Sequence, residues 1–223
     1  MLLCRTDPDT RRAKGISCLL VDMTSPGIEV RPLRQITGEA EFNEVFFENV
    51  RVPRANLLGE LHDGWKIAIS ALQNERGILY VVGMQILLKE QRDRLLAFAR
   101  ERGAGGDPVH RQALADVFIG TEIFRFTCQR TLDQLMRAGF PGPESAIIKL
   151  HWTELTQTMP RLGMEMLGPE ALLFEAAVPG GHTRAQDWVP ASYLASTAAS
   201  IASGTSEILK GIIAMQVLGL PRV

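Results

Sequence analysis

The stretch GWKIAISALQNERGILYVVGMQILLKEQRDRLLAFARE, residues 64–101, decides the fold. Ala68, Leu72, Leu79, Val82, Ile86, Leu95 and Phe98 recur along it at helical spacing, which predicts a long amphipathic helix. Asp63 stands where it can cap the start, and Gly103-Ala-Gly-Gly106 ends the pattern. The same periodicity continues downstream. A second helix is predicted from about Val109 to Arg137, with Leu114, Val117, Ile119 or Phe118, Phe124, Cys128 and Leu132 inward. A third follows Pro143 and runs to about Leu167, with a kink expected at Pro160, which lacks the N–H the helical ladder needs. Residues 168–187 are rich in glycine and proline and read as a loop. Two further helices are expected at about Pro190–Ala202 and Thr205–Leu218, separated by Ser203-Gly204. Thr205 fits an N-cap. Four or five long antiparallel helices of this kind make an up-down bundle.

Upstream of about residue 60 the pattern changes. Gly15–Asp22, Gly27–Leu33 and Glu41–Val50 are rich in β-branched and aromatic residues and are separated by the turn signals Ser25-Pro-Gly27 and Thr37-Gly38. Alternation in the third, where Phe42, Val45 and Phe47 punctuate polar residues, is imperfect enough to allow a bulge. Three strands with an open edge on each side are marginal alone. The expected fold is mainly α: residues 61–223 form a four-helix-type bundle behind an incomplete antiparallel β-domain in residues 1–60.

Composition narrows the function classes. With 24 Lys+Arg against 25 Asp+Glu, the net charge of −1 supplies no basic excess for a polyanion, which argues against nucleic acid. Aromatics at 6% argue against a base-stacking module. Three scattered cysteines, Cys4, Cys18 and Cys128, give neither a disulfide framework nor a CxxC zinc site. His62, His110, His151 and His182 have no metal-ligand spacing, so no metal is expected. No window resembles a membrane span and the first residues are no signal peptide, so the expected location is the cytoplasm. Dinucleotide-binding, P-loop and nucleophile-elbow motifs are all missing.

Two features could carry chemistry. Glu75 lies three residues after Leu72 and four before Leu79, on the stripe that the first long helix should bury. It is either half of an ion pair, or a sign that the stripe is misphased by one position, or a desolvated carboxylate available as a general base. Arg76, about 100° round the helix, could meet an anionic group at the rim. The second feature is Ser203-Gly204-Thr205-Ser206-Glu207, a turn opening the last helix. Its backbone N–H groups could accept an anion or a developing oxyanion, or the motif could be an ordinary cap.

Together these segments resemble one family. The runs Lys14–Asp22, Pro26–Leu33 and Phe42–Pro53, continued by Asn56-Leu-Leu-Gly-Glu60 and Gly64-Trp65, are similar to the middle β-domain of acyl-CoA dehydrogenases. The end, Gly204-Thr-Ser-Glu-Ile208 with Ile212-Ile-Ala214 and Val217–Arg222, resembles the family's C-terminal signature. The resemblance implies an FAD-dependent enzyme of lipid metabolism. In such enzymes a glutamate removes the α-proton of an acyl-CoA thioester while the β-hydride passes to the flavin, and electron-transferring flavoprotein or a similar acceptor reoxidises it.

The resemblance also implies site residues. Many members carry the base immediately before the C-terminal Gly-Thr, where this sequence has Ser203. Another group, resembling isovaleryl- and long-chain-type enzymes, carries it in a Glu-Arg pair on the first bundle helix, here Glu75-Arg76. Glu75 is therefore the expected base, Arg76 the contact for the CoA side, and the Ser203 N–H the donor to the thioester carbonyl. Arg102 matches the arginine that meets the FAD pyrophosphate, usually from a neighbouring subunit, although Gly105-Gly106 replace the usual following aromatic. Gly204, Thr205 and Glu207 match cofactor-binding positions. Glu165 stands where the family has a glutamine and Pro169 where it has a glycine, so Glu165 is a doubtful ligand. Nothing corresponds to the family's N-terminal helical domain or to the strands that hold the isoalloxazine ring. The chain is therefore expected to be a C-terminal portion or split subunit. It would associate as a homo-oligomer (dimer or tetramer) or a hetero-oligomer. The competing reading is a non-catalytic subunit that supports FAD binding and assembly with a partner.

Overall fold

The structure, a computed structural model, describes residues 1–75, 78–139, 142–173 and 188–221, and the side chains of residues 73–81 lie outside that description. The chain divides into two compact units, Met1–Gln35 with Ala40–Glu75, and Ile36–Glu39 with Arg76–Val223.

In the first unit, β1 (Leu2–Arg5) pairs antiparallel with β2 (Ile16–Leu19), and β2 with β5 (Leu57–Leu58). The Arg5 guanidinium fixes the β1–β2 connection by donating to the carbonyls of Thr10, Arg12 and Lys14 at 3.0, 2.7 and 3.0 Å. Helix α1 (Gly64–Glu75) packs on β1 and β2. Glycine is required at its start, because a Cβ on Gly64 would lie 2.4 Å from the Ser17 carbonyl carbon. A separate ribbon joins β3 (Ile28–Leu33) to β4 (Phe42–Phe47). Its register runs unbroken from Ile28↔Phe47 to Leu33↔Phe42, so the bulge allowed by the imperfect alternation is not formed. The three expected strands thus fall in two sheets, and the first sheet gains β1 and β5. Both additions are too short, at four and two residues, to show a period-two pattern.

The second unit is helical: α2 (Ile78–Glu101), α3 (Pro108–Ala138), α4 (Ser145–Leu167), α5 (Trp188–Ser196) and α6 (Ser206–Ile212). Helix α4 is the hub, packing on α2, α3, α5 and α6. The core comprises Met84, Leu88 and Leu95 of α2, Val117, Phe124 and Cys128 of α3, and Ile148, Leu155, Met159 and Leu162 of α4. Asp107 caps α3 by accepting from the Val109 N–H at 2.8 Å, with Pro108 at the first helical position where no N–H is needed. Buried Arg92 ties α2 to α3 through Glu122 at 3.0 Å, an ion pair that also draws Arg92 over the Phe118 ring.

Of residues 64–101, the described stretches are helical, α1 in the first unit and α2 in the second, and residues 76–77 lie outside the described residues. Several other expectations need correction. In α2, Leu95 and Phe98 are buried as expected, but Ile86 is 54% exposed while Met84 and Leu88 are buried. The run Ile86-Leu87-Leu88 is apolar at every position, so periodicity could not choose the phase. In α3 both Phe118 and Ile119 are exposed, and Thr121 takes the inward place. Helix α4 runs to Leu167 as expected, with Pro160 buried within it. The last two helices run close to their expected spans but change geometry along their length. Helix α5 gives way to a 3₁₀ turn over Thr197–Ser200, and α6 widens to an i→i+5 turn in which the Leu218 N–H reaches the Ile213 carbonyl at 2.9 Å. The expected loop opens with a 3₁₀ turn over Gly168–Leu173, and residues 174–187 lie outside the described residues.

Candidate active site

The segment leading into α6 has the most distinctive backbone of the second unit. Ser203 has φ +53° and Gly204 φ +105°, two successive residues in the left-handed region. A side chain makes that region costly, so a serine there marks a turn held by its surroundings. Such turns can aim neighbouring N–H groups at an anion or a developing oxyanion. Thr205 then returns to extended backbone, φ −66° and ψ 153°, and caps α6, its Oγ1 accepting from the Ile208 N–H at 3.3 Å. Hydrogen bonds from its own backbone N–H and from the Thr205 hydroxyl hold the Glu207 carboxyl below the usual carboxylate range. Glu207 is therefore ionised in the first turn of α6, where the helix dipole favours it.

Arg102 follows the last residue of α2, its N–H donating to the Phe98 carbonyl at 3.1 Å. Its guanidinium donates to Glu170 Oε2 at 2.6 Å and lies 5.4 Å from the centre of the Phe98 ring. The hydrogen bond to Glu170 raises the guanidinium pKa above its ordinary value. The aromatic ring that the guanidinium meets thus lies one turn before it in the chain, at Phe98. Glu165, the doubtful ligand, pairs with Arg161 across one helical turn at 3.6 Å. The Arg102 guanidinium is therefore paired with a carboxylate of its own chain.

Arg76 and the side chain of Glu75 lie outside the described residues. Glu75 is the last described residue of α1. Leu72, one turn earlier, is 52% exposed while Ala68 is buried. The structure brings Ser203, Gly204, Thr205 and Glu207 together in one turn.

Sequence reasoning missed a polar row on α4. Lys149, Thr153 and Gln157 stand at i, i+4 and i+8 on one helix face. Lys149 is 1% exposed, and its Nζ donates to Thr153 Oγ1 at 2.9 Å and to the Ala199 carbonyl. Thr153 Oγ1 lies 3.1 Å from the same carbonyl, and Gln157 Nε2 donates to the Ser196 carbonyl at 3.2 Å. The available signal was a lysine inside the apolar pattern of Ala146-Ile-Ile-Lys-Leu150. Beside this row a cavity of about 300 Å³ is bounded by Trp152 and Met159 of α4, Trp188 of α5, and Ala198, Ala199 and Ala202.

Fold and site define a class: a helical bundle behind small antiparallel sheets, with a left-handed turn before its last helix. Residues 62–218 match the family model described as acyl-CoA dehydrogenase, C-terminal domain. The chain belongs to the acyl-CoA dehydrogenase family. It is 34% identical over 221 residues to acyl-CoA dehydrogenase IpdE1 of Mycolicibacterium smegmatis, covering 99% of this chain and 53% of that protein. It is 36% identical over 226 residues to acyl-CoA dehydrogenase FadE34 of Mycobacterium tuberculosis, covering 99% of this chain and 29% of that one. Among solved structures, the Tcur3481-Tcur3483 steroid ACAD superposes with a TM-score of 0.83 at 25% identity, over 100% of this chain and 56% of that one. The ChsE4-ChsE5 complex from Mycobacterium tuberculosis gives a TM-score of 0.73 at 26% identity, over 100% of this chain and 57% of that chain. The chain therefore spans about half the length, or less, of these relatives. Among the described residues, no helix is long and apolar enough to cross a membrane.

Proposed function

We propose that this chain is the C-terminal portion of an acyl-CoA dehydrogenase, in which it supplies the base and the carbonyl-polarising turn for α,β-dehydrogenation of an acyl-CoA thioester to the 2-enoyl-CoA. The observation that carries the reading is the left-handed Ser203–Gly204 turn, in a chain matched almost end to end by acyl-CoA dehydrogenases. Glu75 takes the α-proton onto its carboxylate. A carbon-bound proton is a poor match for a carboxylate, so the thioester carbonyl must be polarised as the proton leaves. The Ser203 N–H donates to that carbonyl and Arg76 binds the CoA side. FAD, when bound, accepts the β-hydride. For that cofactor Arg102 would be the cation for the diphosphate, in exchange for Glu170, and Gly204, Thr205 and Glu207 would hold the nucleotide. The expected electron acceptor is electron-transferring flavoprotein or a similar protein, in the cytoplasm. The β-domain of this reading ends at residue 60 and the bundle domain spans 61–223. The chain acts in an oligomer, homomeric or with a different subunit.

The alternative, a split or non-catalytic subunit that supports FAD binding in a partner chain, is favoured by one observation: the Arg102 guanidinium already holds Glu170. Purification with excess FAD, alone and with a full-length relative, separates the two. A bound-flavin absorbance band and acyl-CoA-dependent bleaching support dehydrogenation, and their absence in both preparations overturns it. A Glu75→Gln variant that kept full turnover in such an assembly would remove Glu75 as the base.

A further inference from the structure

We propose that Lys149 is a positioning residue for the turn at Ser203, acting through the carbonyl of Ala199; its catalytic consequence rests on the role proposed for Ser203. The 3₁₀ turn over Thr197–Ser200 cannot run on into α6, because the chain is left-handed at Ser203 and Gly204. The last carbonyls of a helical segment then need donors from elsewhere. The Ala198 carbonyl finds them locally, accepting from the N–H groups of Ile201 and Ala202 at 3.0 and 2.9 Å. The Ala199 carbonyl instead accepts from Lys149 Nζ on α4.

Thr153 cannot replace that donor. Its hydroxyl carries one proton and faces two carbonyls, those of Lys149 at 2.9 Å and Ala199 at 3.1 Å, while accepting from Lys149 Nζ at 2.9 Å. Side-chain packing on α4 buries Ser196 and Ala199, but both side chains are small. Ala198, Ala199 and Ala202 border the cavity of about 300 Å³. Among the described residues, the row Lys149, Thr153 and Gln157 ties residues 196–202 to α4 by hydrogen bonds to the Ser196 and Ala199 carbonyls. The chain leaves this anchor four residues before Ser203, so the anchor sets where the Ser203 N–H sits. A buried lysine is costly unless its N–H groups are satisfied, and here two of its partners are the anchor itself.

The test is residue-resolved amide exchange on the full chain. In Lys149→Met, exchange at Ile201 and Ala202 is expected to quicken about 10- to 100-fold, the loss of one charge-assisted hydrogen bond. Amides in the middle of α3, at Phe124 and Cys128, should keep their wild-type rates, and Lys149→Arg should recover part of the protection. Unchanged exchange at 201–202, or an equal rise throughout α2–α4, overturns the proposal. Should Lys149→Met fail to fold, Thr153→Val decides: it keeps Nζ and should quicken the same two amides by a smaller factor, and no change there overturns the proposal. In the flavin-loaded assembly the positioning role further requires a fall in kcat with KM nearly unchanged. An assembly inactive even as wild type would sink the dehydrogenase reading and leave the exchange result standing.

Discussion

Arg102 and Glu170, sixty-eight residues apart, meet at 2.6 Å and join the end of α2 to the turn that follows α4. The arginine expected to face a diphosphate thus rests on a carboxylate of its own chain. Replacing Glu170 by glutamine should release it. FAD or ADP binding should then tighten several-fold, up to about tenfold, while Arg102→Gln should weaken binding at least as much. Both side chains are partly exposed, so neither change should move global stability by more than about 1 kcal/mol. Equilibrium binding followed by flavin fluorescence reads the first effect, and urea unfolding the second.

Two glycines on neighbouring helices should respond to alanine in opposite directions. At Gly64 the new methyl would meet the Ser17 and Cys18 backbone at 2.4–2.8 Å, which cannot yield, so Gly64→Ala should cost about 1–3 kcal/mol. At Gly83, within α2, a Cβ meets nothing within 4 Å, and Gly83→Ala should stabilise by about 0.5–1 kcal/mol through helix propensity. Thermal melts of the two variants should bracket the wild type.

His151 packs edge-on against Phe124, ring centres 5.7 Å apart. Burial lowers its pKa below the ordinary 6.5, with Glu154 opposing the shift. The neutral ring is the folded form, and the unfolded chain takes up the proton first as pH falls. Its stabilising contribution is therefore complete above 6.5 and is lost as pH drops through the lower folded value. Denaturant midpoints measured from about pH 7.5 to about pH 5 should decline, and His151→Gln should flatten the decline.

Cys128 is fully buried in the bundle core, and burial pushes its thiol up to about 12 from an ordinary 9.0. Folded protein should therefore keep this thiol protonated and unreactive at pH 8, whereas partly exposed Cys4 should react first. Because the unfolded chain ionises first, stability should fall as pH climbs from 9.0 toward about 12. Thiol titration with and without denaturant, and unfolding at alkaline pH, check the two statements.

Much of the bundle was legible because a helix writes its period into neighbouring residues. Val117, Phe124, Cys128 and the cap at Thr205 all fall where local patterning puts them. The phase of α2 was not legible, since its apolar residues are too dense to choose between Ile86 and Leu88. Nor was the division of the first long pattern between two compact units, because helical periodicity carries no sign of which unit each half will join. The left-handed backbone at Ser203 was hidden as well, because a serine has no intrinsic preference for positive φ and adopts it only when its surroundings require it.

By itself, then, the sequence determined a helical bundle behind short strands, the family to which the chain belongs, and the residue types at the expected site. These follow from periodicity and from short contiguous runs, which are local. Only the tertiary structure decided that Arg102 is held by Glu170 and that Lys149 reaches the Ala199 carbonyl fifty residues away. A side chain's partner is set by which distant carboxylate or carbonyl the packing of α4 brings within hydrogen-bond reach. No local pattern of residues encodes that distance.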